Sequence, residues 1–212
     1  MPFFYQQNIN ETAHLAIWSI QEPASFFETD VQLAVPIANE ERRTQHLAVR
    51  LLFKLMMPEA DMSQLVMADN GKPYLVGLPF HFSFSHCKGY AACAVDDQKP
   101  VGIDIEIIHP RIAKVAHKFL NEQEKSMLEG LDEQTQLNQM AFLWAAKEAM
   151  YKQHEQLGID FAKDFNILEL TNGDRGTVSA EILHKGLNAS VALDYHFGAD
   201  YICVTCYRLL FL

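Results

Sequence analysis

The run Val101-Gly102-Ile103-Asp104-Ile105-Glu106-Ile107-Ile108 alternates apolar side chains with two acids and so predicts a β-strand. Side chains along a strand point to alternate faces. Asp104 and Glu106 therefore share one face, and Ile103, Ile105 and Ile107 the other. Neighbouring carboxylates repel unless a cation lies between them or one takes a proton. A hard dication such as magnesium, which prefers oxygen ligands, relieves that repulsion most simply. Two solvated acids on the wet face of an antiparallel sheet are the plain alternative.

A second stretch bears on that choice. Phe142 to Lys152 is rich in Ala, Leu, Met, Lys and Glu and predicts a helix. Trp144, Lys147, Glu148, Tyr151 and Lys152 follow one another at i, i+3, i+4, i+7 and i+8, which predicts a shared face. That face carries a third carboxylate between two lysines. A solvated Glu–Lys pair is the alternative, but the tryptophan and tyrosine beside it argue against full exposure.

Upstream, residues 13–20 predict a first strand and residues 24–35 a short helix. Asn39 is placed to cap a helix that runs from Glu40 to Pro58. Leu47, Leu51 and Leu55 form its apolar stripe; Arg43, Arg50 and Lys54 form a basic one. Asn70-Gly71 predicts a turn, followed by Gly71-Lys72-Pro73. Residues 81–85 and 90–95 predict strands, with Ser85 and His86 at the end of the first. The polar stretch Asp96-Asp97-Gln98-Lys99-Pro100 marks a boundary between halves 1–97 and 98–212. In the second half, Arg111 to Leu120 predicts a helix with Arg111, Lys114, His117 and Lys118 as a local basic group. Asn121 and Glu124 predict a capping box. Asp132 to Gln134 starts the long helix that holds Glu148. Strands are predicted at 165–170, 177–183, 189–196 and 201–208, with Asn172-Gly173-Asp174 as a turn. Each half thus reads as strand, helix and further strands, an α+β arrangement.

With 27 acidic and 17 basic residues the net charge is −10, which disfavours non-specific nucleic-acid binding. There is no apolar run of membrane-spanning length, and the first residues lack a secretory pattern, so a cytosolic protein is expected. Four cysteines fit that expectation. Cys203 and Cys206 fall in a predicted strand and read as structural thiols rather than a redox motif. Cys87 beside His86 does not read as a nucleophilic dyad.

Gly-Ile-Asp-Ile-Glu at 102–106 and Trp-Ala-Ala-Lys-Glu-Ala-Met-Tyr-Lys at 144–152, preceded by Gly71-Lys72-Pro73 and Phe82-Ser83-Phe84-Ser85-His86, resemble in order and spacing the signatures of Sfp-type 4'-phosphopantetheinyl transferases. The resemblance spans residues 40–155. It implies two pseudo-equivalent α/β halves, each a small, mainly antiparallel sheet packed with a long helix, and an active site in the cleft between them. It implies transfer of the 4'-phosphopantetheine arm of coenzyme A to a serine of an apo acyl or peptidyl carrier protein, releasing 3',5'-ADP. It implies magnesium held by Asp104, Glu106 and Glu148, with Glu148, directly or through a metal-bound water, as the base and Lys152 acting on the leaving phosphate. Arg43, Arg50, Lys72, Pro73, Ser85, His86, Lys147 and Lys152 are the implied coenzyme A contacts. Two halves in one chain make a monomer the expected state. A magnesium-dependent nuclease or phosphohydrolase, and a non-catalytic binder of coenzyme A or carrier protein, are the alternatives. Retention of all three carboxylates argues against the binder.

Overall fold

The computed structural model describes residues 5–9, 11–68, 71–77, 80–154 and 156–210, the side chains of 208–210 excepted. The chain divides into two units, Met1–Pro100 and Val101–Leu212.

The first unit runs through β1 (Tyr5–Asn8), β2 (Ala13–Ser19), α1 (Ala24–Phe27), α2 (Glu40–Met56), β3 (Leu65–Met67), β4 (Pro73–Leu75), β5 (His81–Cys87) and β6 (Tyr90–Asp96). An antiparallel sheet has the order β1-β2-β6-β5, and β3 and β4 pair as a separate ribbon. The Asn39 side chain caps α2 by accepting from the Arg42 N–H at 2.8 Å. The buried stripe of α2, including Leu47, Leu51, Leu52 and Phe53, forms a core with β2, β5 and β6. Phe53 stacks on Phe82 at 4.5 Å and meets Phe84 edge-on at 5.4 Å. β1 was not anticipated: Tyr-Gln-Gln-Asn carries no apolar period, and its strand state comes from pairing with β2. Helix α1 is one turn, shorter than the predicted span. Asn70 of the expected turn lies outside the described residues; Gly71 adopts φ +81°, the left-handed region that favours glycine.

The second unit runs through β7 (Gly102–Ile107), α3 (Arg111–Val115), α4 (Glu122–Leu128), α5 (Glu133–His154), α6 (Phe161–Asp164), β8 (Phe165–Ile167), β9 (Arg175–His184), β10 (Leu187–Phe197) and β11 (Tyr201–Leu210). Its antiparallel sheet has the order β7-β11-β10-β9-β8. The predicted 111–120 helix breaks up: α3 is followed by a 3-10 turn, Ala116–Lys118, before the Asn121–Glu124 capping box opens α4. In both units the strand that precedes the long helix pairs with the last strand, β2 with β6 and β7 with β11. The long helix packs on that pair each time. The two units therefore repeat one plan, a small antiparallel sheet under a long helix. No described helix is long and apolar enough to cross a membrane.

Gly102 sets how closely α5 lies on β7. A Cβ there would overlap the Ala149 carbonyl oxygen and sit 2.7 Å from the Gln153 backbone nitrogen. The helix meets the strand with small residues, Ala145, Ala146 and Ala149, all fully buried. Gly102→Ala must push helix and strand apart, and overpacking of this kind costs roughly 1–3 kcal/mol. The variant is expected to unfold at correspondingly lower urea concentration; an unchanged midpoint would show that β7 and α5 can separate without cost.

Candidate active site

The close approach of α5 to β7 brings strand and helix side chains together. Asp104 is 4% exposed, so it is not one of two solvated acids on a wet face. Lys152 on α5 donates to its Oδ1 at 2.6 Å and to the Ile103 carbonyl at 3.0 Å. Two residues along β7, Glu106 Oε1 accepts from the Trp144 indole N–H at 3.1 Å. Trp144, Glu148 and Lys152 stand one turn apart on α5, so Glu148 lies midway between these two contacts.

The electrostatics follow from burial. Glu106 is pushed up to about 7, first by burial and then by the charge of Asp104, with Glu148 adding to it and Trp144 and Lys152 opposing. Glu148 is pushed up to about 7 by burial and then by Asp104, against Lys152. Three carboxylates thus share one charge field, relieved by a single lysine at Asp104 and by protons on the other two. As oxygen donors carrying excess negative charge they suit a hard dication in kind. Among the described residues, no three His, Cys, Asp or Glu side chains already stand as a metal-ligating group. Ion binding therefore requires side-chain adjustment and displacement of the protons.

Lys147 departs from its expected role. The predicted face was a band: at 3.6 residues per turn Lys147 and Lys152 lie about 140° apart around the helix. Lys147 falls on the buried margin and is fully enclosed. Its Nζ donates to Glu124 Oε2 at 2.7 Å, to the Phe119 carbonyl at 2.7 Å and to the Phe161 carbonyl at 2.9 Å. Those contacts use all three ammonium protons, so none is left for a phosphate.

In the first unit the structure distinguishes the two candidate arginines. Arg43 pairs with Glu28 at 3.5 Å, and Lys54 pairs with Asp30 at 3.9 Å. Arg50, between them on the same stripe, makes no ion pair among the described residues. Its Nη1 donates to the His46 carbonyl at 2.9 Å and lies 3.4 Å from His46 Nδ1. The guanidinium can only donate, so His46 Nδ1 accepts and the proton sits on Nε2. That Nε2 is buried with no hydrogen-bond partner among the described residues. Burial, then Arg50 and Arg42, lower the His46 pKa to about 4, which leaves the ring neutral at pH 7. The His86 ring lies 4.5 Å from the His46 ring. Side chains alternate along β5, so Phe82, Phe84 and His86 face α2 while Ser85 faces the other way. The structure therefore gathers Arg50, His46 and His86 but not Ser85. Lys72 and Pro73 lie on the β3–β4 ribbon, where β4 packs beside β5. His46 and Glu124 were missed as site residues. His46 had a signal, one turn before Arg50; Glu124 had none beyond its capping position.

Residues 100–206 match the profile of the 4'-phosphopantetheinyl transferase superfamily. The chain is 37% identical over 137 residues to a 4'-phosphopantetheinyl transferase of Bacillus subtilis, covering 64% of this chain and 59% of the relative. It is 36% identical over 113 residues to 4'-phosphopantetheinyl transferase Sfp of Bacillus subtilis (strain 168), covering 53% and 49%. To 4'-phosphopantetheinyl transferase AcpT of Salmonella typhi it is 31% identical over 115 residues, covering 53% and 59%. The matched stretches thus span about half to three fifths of these relatives.

The raised Glu106 and Glu148 give a pH signature with a definite sign. The unfolded chain releases these protons near 4.5, the folded one near 7. Between those values the folded state binds more protons, so these groups make stability fall as pH rises. In chelator-treated protein, Glu148→Gln removes one of them. The melting temperature of the variant should gain on the wild type from about pH 5 to about pH 8; parallel profiles would mean that Glu148 titrates as an ordinary carboxylate.

Proposed function

The chain belongs to the 4'-phosphopantetheinyl transferase superfamily, and from that premise we propose that it transfers the 4'-phosphopantetheine arm of coenzyme A to a serine of an apo carrier protein. The observation that carries the proposal is the set Asp104, Glu106, Glu148 and Lys152, brought together by β7 and α5 inside the matched stretch. The serine oxygen bonds to the pantetheine-bearing phosphorus, that phosphorus loses its bridging oxygen, and 3',5'-ADP departs. Such transfers depend on positioning, charge neutralisation and a base for the hydroxyl.

Asp104, Glu106 and Glu148 are the residues to hold magnesium. When bound, the ion supplies charge neutralisation at the pyrophosphate. Glu148 takes the serine proton; a base whose pKa lies near the working pH combines availability with driving force. Lys152, ordered by Asp104 and the Ile103 carbonyl, offers its ammonium to the leaving phosphate. Arg50, with no carboxylate partner among the described residues, is favoured over Arg43 for the 3'-phosphate, with His86 against the His46 ring that Arg50 meets. Lys72 and Pro73 are proposed to flank the nucleotide, and Ser85 to contact coenzyme A from the other face of β5. The first unit is read as the nucleotide-binding half and the second as the catalytic half. Four cysteines, none of them in a disulfide among the described residues, suit a reducing cytosol, and the reaction is read as that of a monomer.

The carrier protein is proposed to dock on α3 and the turn after it. Arg111, Lys114, His117 and Lys118 are all exposed there, with Val115 among them. Basic side chains around an apolar contact fit a partner that is acidic around its serine. Reversing the charge of Arg111 and Lys114 together should raise the apparent KM for carrier protein and leave that for coenzyme A unchanged; equal changes in both would remove α3 from the interface.

The reaction itself is tested by intact-mass spectrometry of apo carrier proteins of fatty-acid, polyketide and peptide type, incubated with the protein, coenzyme A and magnesium, with a chelator control. A metal-dependent gain of one phosphopantetheine arm is expected. Glu148→Ala should slow that gain by about a hundredfold or more. No gain on any carrier, from folded protein that binds coenzyme A, would make it a binding module.

A further inference from the structure

The Lys147–Glu124 pair is fully buried on both sides. A buried pair is weak evidence for stability, because desolvation offsets its attraction and apolar packing serves as well or better. The question is therefore what this pair holds in place. It is completely satisfied. Besides Lys147, Glu124 Oε2 accepts the Asn121 N–H at 3.0 Å, and Oε1 accepts the Ile167 N–H at 3.0 Å. The other two protons of Lys147 go to the carbonyls of Phe119 and Phe161, the first before α4 and the second at the start of α6.

The rings of those same two residues pack against Trp144. Phe119 meets it edge-on at 5.2 Å, and Phe161 lies at 5.7 Å with a 40° tilt. Trp144 is the donor to Glu106 Oε1. A continuous path thus runs from the ammonium to two carbonyls, from those residues' rings to the indole, and from the indole to a carboxylate of the site. We propose that Lys147 and Glu124 are positioning residues: by tying the backbone of Phe119 and Phe161 to α5, they hold the Trp144 indole in the orientation that donates to Glu106. Indole N–H and carboxylate must be aligned for that bond to count, since hydrogen bonds weaken steeply off-line. Outer-shell residues of this kind typically change affinity or activity by about 10–100-fold when removed.

The inference deepens the proposed transferase reading, and only its kinetic arm rests on it. Lys147→Met combined with Glu124→Gln removes both charges. Protein labelled with 5-fluorotryptophan gives two resonances, from Trp18 and Trp144, assigned with Trp144→Phe. In the double variant the Trp144 resonance should shift or broaden while that of Trp18 stays. Turnover should fall by about tenfold or more, with KM for coenzyme A within about twofold. Trp144→Phe should reproduce the turnover loss, and combining it with the double variant should add little, because residues in one chain of contacts are not additive. An unmoved Trp144 resonance would overturn the proposal, as would full additivity. So would a raised KM with turnover kept, which would return Lys147 to the phosphate. Absence of transferase activity in the wild type would sink the functional reading and leave the fluorine test standing. Should the double variant fail to fold, Glu124→Gln alone carries the same readouts, with the same outcomes deciding.

Discussion

The contact between the backbone of α5 and Gly102 is the constraint from which the rest of the second unit follows. Without a side chain at 102, the helix lies directly on β7, Asp104 is buried and Glu106 is half-buried. Removing a carboxylate from water costs several kcal/mol unless it is paired or protonated. Both remedies are present. Asp104 is paired with Lys152 at 2.6 Å, whereas Glu106 and Glu148 hold protons up to about 7. The same closeness that creates the problem also brings together the three carboxylates proposed to hold magnesium. A cation that can displace two protons and share Asp104 with Lys152 would find its binding strengthened as pH rises, because ligands must be deprotonated first.

The coenzyme A site proposed for the first unit meets a different difficulty, that of holding a polyanion on a chain of net charge −10. The basic stripe of α2 is not uniformly available. Its two ends are neutralised by acids just after α1, Glu28 on Arg43 and Asp30 on Lys54. Among the described residues, Arg50 has carbonyl and imidazole partners and no carboxylate. A half-buried guanidinium without a counter-ion among the described residues, beside a buried imidazole N–H that lacks an acceptor among them, concentrates positive potential on a chain of negative net charge. Local pairing, not composition, decides which base is left for a ligand.

Much of this was legible in the sequence, and what was missed has a common cause. Alternation in 101–108 and the Ala-rich run at 142–152 identified β7 and α5 because both have strong internal periods. The Asn39 cap and the Asn121–Glu124 box were readable because capping is local. β1 was not, since a polar edge strand exists through its partner. Nor was the break in 111–120, where the backbone turns to bring Phe119 under α5. Arg43 and Arg50 looked equivalent, because the residues that separate them, Glu28 and His46, act through space.

The two lysines of α5 show how the same side chain is given opposite work by its angle on the helix. Lys152, partly exposed at 26%, meets one carboxylate and one carbonyl at the site's edge. Lys147, about 140° away around a helix of 3.6 residues per turn, faces the interior. An ammonium there is tolerable only with every proton used, and supplying three acceptors requires bending distant backbone to it. Glu124, Phe119 and Phe161 come from separate elements, so the demand of one buried charge draws those elements to a common point. An apolar residue at 147 could fill the same volume without fixing where those carbonyls go. The charge specifies geometry rather than adding stability, and the geometry it specifies lies directly behind Trp144 and Glu106.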